Sequence, residues 1–272
     1  MNDQLIVIGS GAEFAHPSRG PRTLPLPVRE EIVLVSTPDG AADAVLHFPE
    51  GAGEWPAVLA WPDIVGLRPV FREMGRRLAA MGYVVLTPNL YYRVRKAPVM
   101  GPDFSFARPE DREAVFALRA SLEDQHVDRD SVAFIRFLEA RPQTTGRKKF
   151  GVHGYCLGGG FAIRSAASAA GQVGAVASFH GAGLVTDSPA SPHRLIASTS
   201  AVYLVEIASN DDAVDPDAKL KLAAELKRSE LSGRIDVCPA NHGWCVSGSA
   251  AYDEVQAEKA WARLIGLYGH AL

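Results

Sequence analysis

Apolar residues fall in short, nearly unbroken runs separated by longer stretches with helical spacing. The runs Ile32–Ser36, Ala44–Phe48, Ala57–Trp61, Tyr83–Thr87, Lys149–His153, Ala175–Phe179, Val202–Ile207 and Arg234–Cys238 predict strands. Between them Pro69–Met81, Glu110–Ala120, Asp130–Ala140, Leu157–Ala170, Pro216–Lys227 and Ala250–Tyr268 carry the spacing of helices. Strands covered on both faces read as continuous apolar runs, and parallel neighbours need helical crossovers. The alternation therefore predicts an α/β fold, a mostly parallel central sheet flanked by helices on both faces. The first two runs follow each other without a helix, which predicts an antiparallel start.

Two segments break the rhythm. Residues 1–28 hold Pro17, Pro21, Pro25 and Pro27 with Gly9, Gly11 and Gly20 and keep no period. They are expected to form an irregular arm ahead of a single domain over 29–272. The stretch 94–129 is polar, with Pro98, Pro102 and Pro109 and the aromatics Phe104 and Phe106. It reads as a long surface connection or as a lid over a site.

Composition narrows the classes. The chain has 272 residues, enough to bury one large core without disulfides. Its 28 basic and 31 acidic residues give a formal charge of −3, which argues against a nucleic-acid partner. No apolar run approaches the roughly 18 residues of a membrane span, and no secretory signal pattern opens the chain. Three cysteines, Cys156, Cys238 and Cys245, are too few and too odd for a disulfide framework. Among the eight histidines there is no H-x-H or H-E-x-x-H spacing, so neither a metal nor another cofactor is expected. These features predict a soluble, cytoplasmic protein, a monomer or small homo-oligomer, with a small-molecule partner.

One of the cysteines carries the chemistry. Gly154-Tyr155-Cys156-Leu157-Gly158 lies where a predicted strand meets a predicted helix, in the pattern G-x-nucleophile-x-G with cysteine in place of serine. The turn is so sharp that both flanking positions must lack side chains. The helix N-terminus beyond it favours a thiolate and a developing oxyanion, and the Leu157 N–H is placed to donate to that oxyanion. The competing reading is a glycine-rich phosphate turn with a buried structural cysteine. However, the spacing is not G-x-G-x-x-G.

Such an elbow requires an acid and then a histidine downstream, each past a later strand. The run Val202–Ile207 leads to Asp211, Asp212 and Asp215, and Arg234–Cys238 leads to His242. A histidine moves the thiol proton and protonates the leaving group, while the acid fixes its tautomer. Asp215 before Pro216 reads as a helix cap. Asp211 is the preferred acid, with Asp212 its competitor. His153 reads as a core histidine, and His180 and Tyr155 as candidates beside the pocket. Cys238 reads as core, and Cys245 as a possible second thiol of the pocket.

These residues resemble the dienelactone hydrolase family of the α/β-hydrolase fold. The likeness rests on Gly154-Tyr155-Cys156-Leu157-Gly158-Gly159, on Trp61-Pro-Asp-Ile-Val-Gly-Leu-Arg, on Arg76 to Arg93, on Asn210-Asp211-Asp212-Ala213-Val214 and on His242-Gly243. It implies a Cys156–His242–Asp211 triad and a second oxyanion donor at the Ile64 backbone. It places Asp63 where the family has an acidic residue, usually glutamate, beside the resting thiol. Arg93 matches an arginine near the substrate carboxylate, although it also lies in a basic run with Arg95 and Lys96. The family's second carboxylate-binding arginine, shortly after the histidine, is missing. Trp244 there suggests an apolar wall instead. The implied activity is ester or lactone hydrolysis through an acyl-enzyme. The alternatives are a thioesterase or amidase on the same triad, or a non-catalytic binding protein.

Overall fold

The computed structural model describes residues 5–9, 25–145 and 149–272. Its strands are β1 (Leu5–Ile8), β2 (Val28–Thr37), β3 (Gly40–Pro49), β4 (Ala57–Trp61), β5 (Val84–Pro88), β6 (Phe150–Tyr155), β7 (Val173–Phe179), β8 (Val202–Ala208) and β9 (Gly233–Cys238). Its helices are α1 (Pro69–Ala79), α2 (Pro109–Ala120), α3 (Asp124–Glu139), α4 (Leu157–Ser168), α5 (Pro192–Leu195), α6 (Ser209–Val214), α7 (Ala218–Arg228) and α8 (Glu254–Ala271). All strands join one sheet in the order β1-β9-β8-β7-β6-β4-β5-β3-β2. From β5 to β9 the neighbours are parallel. The β2–β3, β3–β5 and β1–β9 pairs are antiparallel, so the helix-free start folds as expected.

Burial explains the reading. Every residue of β4, β5, β6 and β7 is buried, because helices cover both faces of the parallel centre. One core lies under α3, α4 and α7, where Phe134, Leu138, Phe161, Ile163 and Leu226 meet the sheet. The other lies under α1 and α8, with Phe71, Leu78, Leu264, Leu267 and Tyr268. The residues of α8 that face it, Ala260, Leu264, Leu267 and Tyr268, recur at one helical stripe. The Asp253 carboxylate caps this helix by accepting the Gln256 N–H at 3.0 Å.

Three expectations are corrected. The irregular arm over 1–28 contains β1, whose Leu5–Ile8 alternate half-buried and exposed along the edge of β9. A four-residue strand is too short to stand out by pattern; residues 10–24 of that arm lie outside the described residues. The helix expected at Asp130 begins six residues earlier, at Asp124, so the segment 94–129 holds α2 and the first turn of α3. The loop ahead of α2 packs Val99 against Gly66, beside the turn that follows β4. Asp215 does not cap α7: it closes α6, donating its N–H to the Asp211 carbonyl at 3.0 Å, and α7 starts only at Ala218. Among the described residues no helix is long and apolar enough to cross a membrane.

Candidate active site

The elbow stands at the C-terminal end of β6, in the middle of the parallel sheet. Cys156 has φ 54° and ψ −120°, a left-handed strained backbone of the kind stored at functional turns. A Cβ on Gly154 would lie 1.9 Å from the Gly158 carbonyl oxygen, and one on Gly158 would lie 2.5 Å from the Pro62 oxygen. Strand, helix and the β4–α1 loop therefore touch backbone to backbone, which only glycines allow. Leu157 is the first residue of α4, so no carbonyl a turn earlier can take its N–H. Ile64 sits in the loop that meets Gly158, and its peptide is held where the Tyr91 hydroxyl donates to its carbonyl at 2.8 Å.

Two later strands bring the polar partners. The His242 ring nitrogen Nδ1 lies 2.7 Å from the Asp211 carboxylate, and Cys156 is near enough to act on the same ring. Burial alone would lower the His242 pKa. The hydrogen bond to Asp211 and the nearby Cys156, with the charges of both, override it and raise the value to about 10. The loop is pinned by Asn210, whose side-chain oxygen accepts the His242 backbone N–H at 2.8 Å. Asp212 points elsewhere, with both carboxylate oxygens on the Lys219 ammonium at 2.6 and 2.8 Å. The two competing aspartates are thus separated by geometry. Replacing Asp212 by alanine is expected to leave esterase kcat within about threefold and to lower stability by about 1 kcal/mol or less, the cost of losing a partly exposed ion pair. Parallel rate assays and urea unfolding would check this, with Asp211→Asn as the damaging comparison.

Several candidates are engaged with other groups. Asp63 is gripped by Arg68, with Nη1–Oδ1 at 2.6 Å and Nη2–Oδ2 at 2.8 Å, and its Oδ1 also accepts the Val65 N–H. That carboxylate, on a side chain one methylene shorter than glutamate, is thus occupied by Arg68 and the Val65 N–H. Arg93 is likewise committed. It makes a two-bond fork with Asp130 at 2.8 Å each, bonds Asp39 at 2.6 and 3.0 Å, and lies 4.5 Å over the Tyr92 ring. It ties the β2–β3 turn to α3 and is not free for a substrate carboxylate. Tyr155 is buried on the α1–α8 face, stacked on Phe179 with centroids 5.3 Å apart. With Cys245, Met74 and Trp261 it lines a cavity of about 160 Å³ whose lining does not include Cys156. Trp244 has no exposed surface and backs the His180 ring rather than walling a pocket.

Three buried groups complete the picture. The His180 Nδ1 accepts the Cys156 backbone N–H at 3.1 Å, so this residue adjoins the nucleophile through its main chain. His153 lies in the core, with Nδ1 2.8 Å from the Tyr268 hydroxyl, and burial lowers its pKa to about 3. Cys238 is buried with its sulfur 3.2 Å from Glu206 Oε2. Sequence reasoning missed Asn210, Lys219, Arg68 and Tyr91. Only Asn210 carried a signal, as the polar neighbour of a proposed catalytic acid. Among the described residues no group of three His, Cys, Asp or Glu side chains is arranged to hold a metal ion.

A parallel sheet with a strained cysteine elbow and an Asp–His pair past later strands defines the α/β-hydrolase class. The solved structure of a dienelactone hydrolase-like promiscuous phosphotriesterase from metagenomic libraries shares this fold. Its TM-score is 0.72 at 20% identity, over 90% of this chain and 98% of that one. The sequence profile of the dienelactone hydrolase family matches residues 42–272, and the chain belongs to that family. It is 26% identical to carboxymethylenebutenolidase 1 of Cupriavidus pinatubonensis over 212 residues, 78% of this chain and 85% of the relative. It is 30% identical to carboxymethylenebutenolidase of Rhodococcus opacus over 149 residues, 55% of this chain and 53% of the relative. The protein is accordingly an enzyme, a hydrolase of ester bonds.

Proposed function

We propose that this enzyme cleaves small, activated esters or lactones through a thioester on Cys156. The observation that carries the reading is the convergence of the strained Cys156 elbow with the hydrogen-bonded His242–Asp211 pair, past the ends of β6, β9 and β8. In the proposed cycle the Cys156 sulfur, having given its proton to His242, attacks the carbonyl carbon. The oxyanion that forms is held by the Leu157 and Ile64 N–H groups. Collapse breaks the carbon–oxygen bond, and the imidazolium of His242 protonates the departing alkoxide or enolate. The acyl group remains on sulfur. A water then gives a proton to His242 and attacks the thioester, and the second collapse releases the acid and the sulfur. Asp211 keeps the ring in the tautomer that can face Cys156 and stabilises it while charged.

The substrate follows from what the site offers. Arg93 is bound by two aspartates, and the chain has no arginine between His242 and Arg263. A carboxylate on the substrate is therefore not required, and neutral aryl esters and lactones are the proposed class. Thiolates leave as readily as they attack, so an electron-poor ester is favoured over an amide. The test is selective alkylation. One equivalent of iodoacetamide at pH 7 should label Cys156 ahead of the buried Cys238 and Cys245, and activity on a neutral aryl ester should fall in step. Full activity after complete labelling of Cys156 would overturn the proposal.

A further inference from the structure

His180 lies outside the proposed triad and touches two of its members. We propose that it is a positioning residue that sets the backbone of the nucleophile and backs the ring of His242. The inference rests on the reading of Cys156 as nucleophile.

The hydrogen bonds around Cys156 come mainly from one short stretch. The Cys156 N–H is shared between the Phe179 carbonyl and His180 Nδ1, each at 3.1 Å. The Cys156 carbonyl accepts the Ala182 N–H at 2.9 Å, as well as the Gly159 N–H at 3.0 Å within the helix start. Residues 179–182 thus hold the peptides on both sides of the nucleophile. One of those peptides carries the Leu157 N–H, the proposed oxyanion donor. Left-handed backbone is costly for a non-glycine residue and persists only where the surroundings over-determine it. His180 itself has φ 39°, with its N–H bonded to the Glu206 carbonyl at 2.7 Å. Two strained residues, Cys156 and His180, therefore brace each other.

The ring has a second contact. An Nδ1 that accepts a hydrogen bond bears no proton, so a neutral His180 carries its hydrogen on Nε2. The residue is 1% exposed, and burial together with the charge of His242 lowers its pKa to about 3. Its ring meets that of His242 edge to face at 4.9 Å, with Trp244 against it at 5.0 Å. A neutral ring can stand beside His242 while that residue is positively charged; a cation there would repel it. The arrangement gives the fully buried Trp244 a role, as the support that keeps His180 in place.

The test compares acceptors. In His180→Asn the side-chain oxygen stands two bonds from Cβ, as Nδ1 does, and can still take the Cys156 N–H. In His180→Gln it stands one bond farther, and in His180→Phe there is no acceptor. On a neutral aryl ester, His180→Phe and His180→Gln are expected to lose about 10- to 100-fold in kcat, with KM changed less than about twofold, as for a lost buried acceptor. His180→Asn should recover most of that loss. The rate of Cys156 alkylation at pH 7 should fall and recover in the same order. If His180→Phe does not fold, the Asn–Gln comparison still decides. Equal kcat and alkylation rates in the Asn and Gln variants, or wild-type values in His180→Phe, would overturn the proposal. Cys156→Ala run in parallel separates the two claims: if it is inactive, such results count against His180 alone, and if it is active the underlying reading fails.

Discussion

Cys156→Ala is expected to lower kcat on a neutral aryl ester by about 10⁴-fold or more, the scale on which removal of a nucleophile from a catalytic triad acts. The physical reason is that no neighbour can replace the sulfur. The Asp211–His242 pair survives the change, but on its own it can only activate water against an ester that has not been converted to a thioester. The amides of Leu157 and Ile64, the proposed oxyanion donors, remain and are expected to supply the residual rate over water. The protein itself should stay intact, because Cys156 is only half-buried and its main-chain hydrogen bonds do not involve the sulfur. A matched pair of measurements checks the prediction, initial rates and a thermal melt on the same preparation. A variant that melts like the parent and retains its rate would remove Cys156 from the chemistry.

Gly154→Ala is expected to cost more than about 4 kcal/mol, or to leave no cooperatively folded protein. The added methyl would stand 1.9 Å from the Gly158 oxygen, 2.2 Å from its carbonyl carbon and 2.9 Å from the Gly159 nitrogen. All three atoms are backbone, so no side-chain rotation can relieve the clash. The end of β6 would have to move away from the start of α4, undoing the turn that lifts Cys156. Gly160→Ala is the informative contrast. A Cβ there meets only the Ala182 oxygen at 3.4 Å and Pro192 Cγ at 3.6 Å, ordinary or nearly ordinary contacts. That substitution should change stability by about 1 kcal/mol or less, with the lower entropy of alanine offsetting part of any crowding. Urea unfolding followed by circular dichroism separates the two cases.

The contrast between what the sequence foretold and what it did not has a physical basis. The central strands were legible because burial on both faces removes polar residues from them, as in Ala57–Trp61 and Val173–Phe179. The elbow was legible because its requirement is local: two glycines and a cysteine within five residues. The His242–Asp211 pair was legible because each residue lies within four positions of the end of a parallel strand. The choice between Asp211 and Asp212 could not be made along the chain. It depends on Lys219, the second residue of the next helix, which draws Asp212 aside.

The ion pairs of Asp63 and Arg93 could not be read along the chain for a related reason. Their partners come from the folded arrangement: Arg68 across a tight loop, and Asp130 and Asp39, which lie 37 and 54 residues from Arg93. Tyr155 and Trp244 show the limit of adjacency. Each neighbours a residue of the site, but strand pleating and loop packing turn their rings into the α1–α8 core. The strand β1 was hidden because four residues cannot display a period, and its pairing with β9 joins opposite ends of the chain.

The central claim is that the acyl group passes through Cys156. Mixing the enzyme with excess p-nitrophenyl acetate, quenching in acid within the first turnover and analysing the peptides by mass spectrometry addresses it directly. The account predicts an acetyl mass on the peptide containing Cys156, labile to neutral hydroxylamine as a thioester is, and absent from the Cys156→Ala protein. An acetyl group found on another residue, with none on Cys156 while the enzyme turns over, would contradict it.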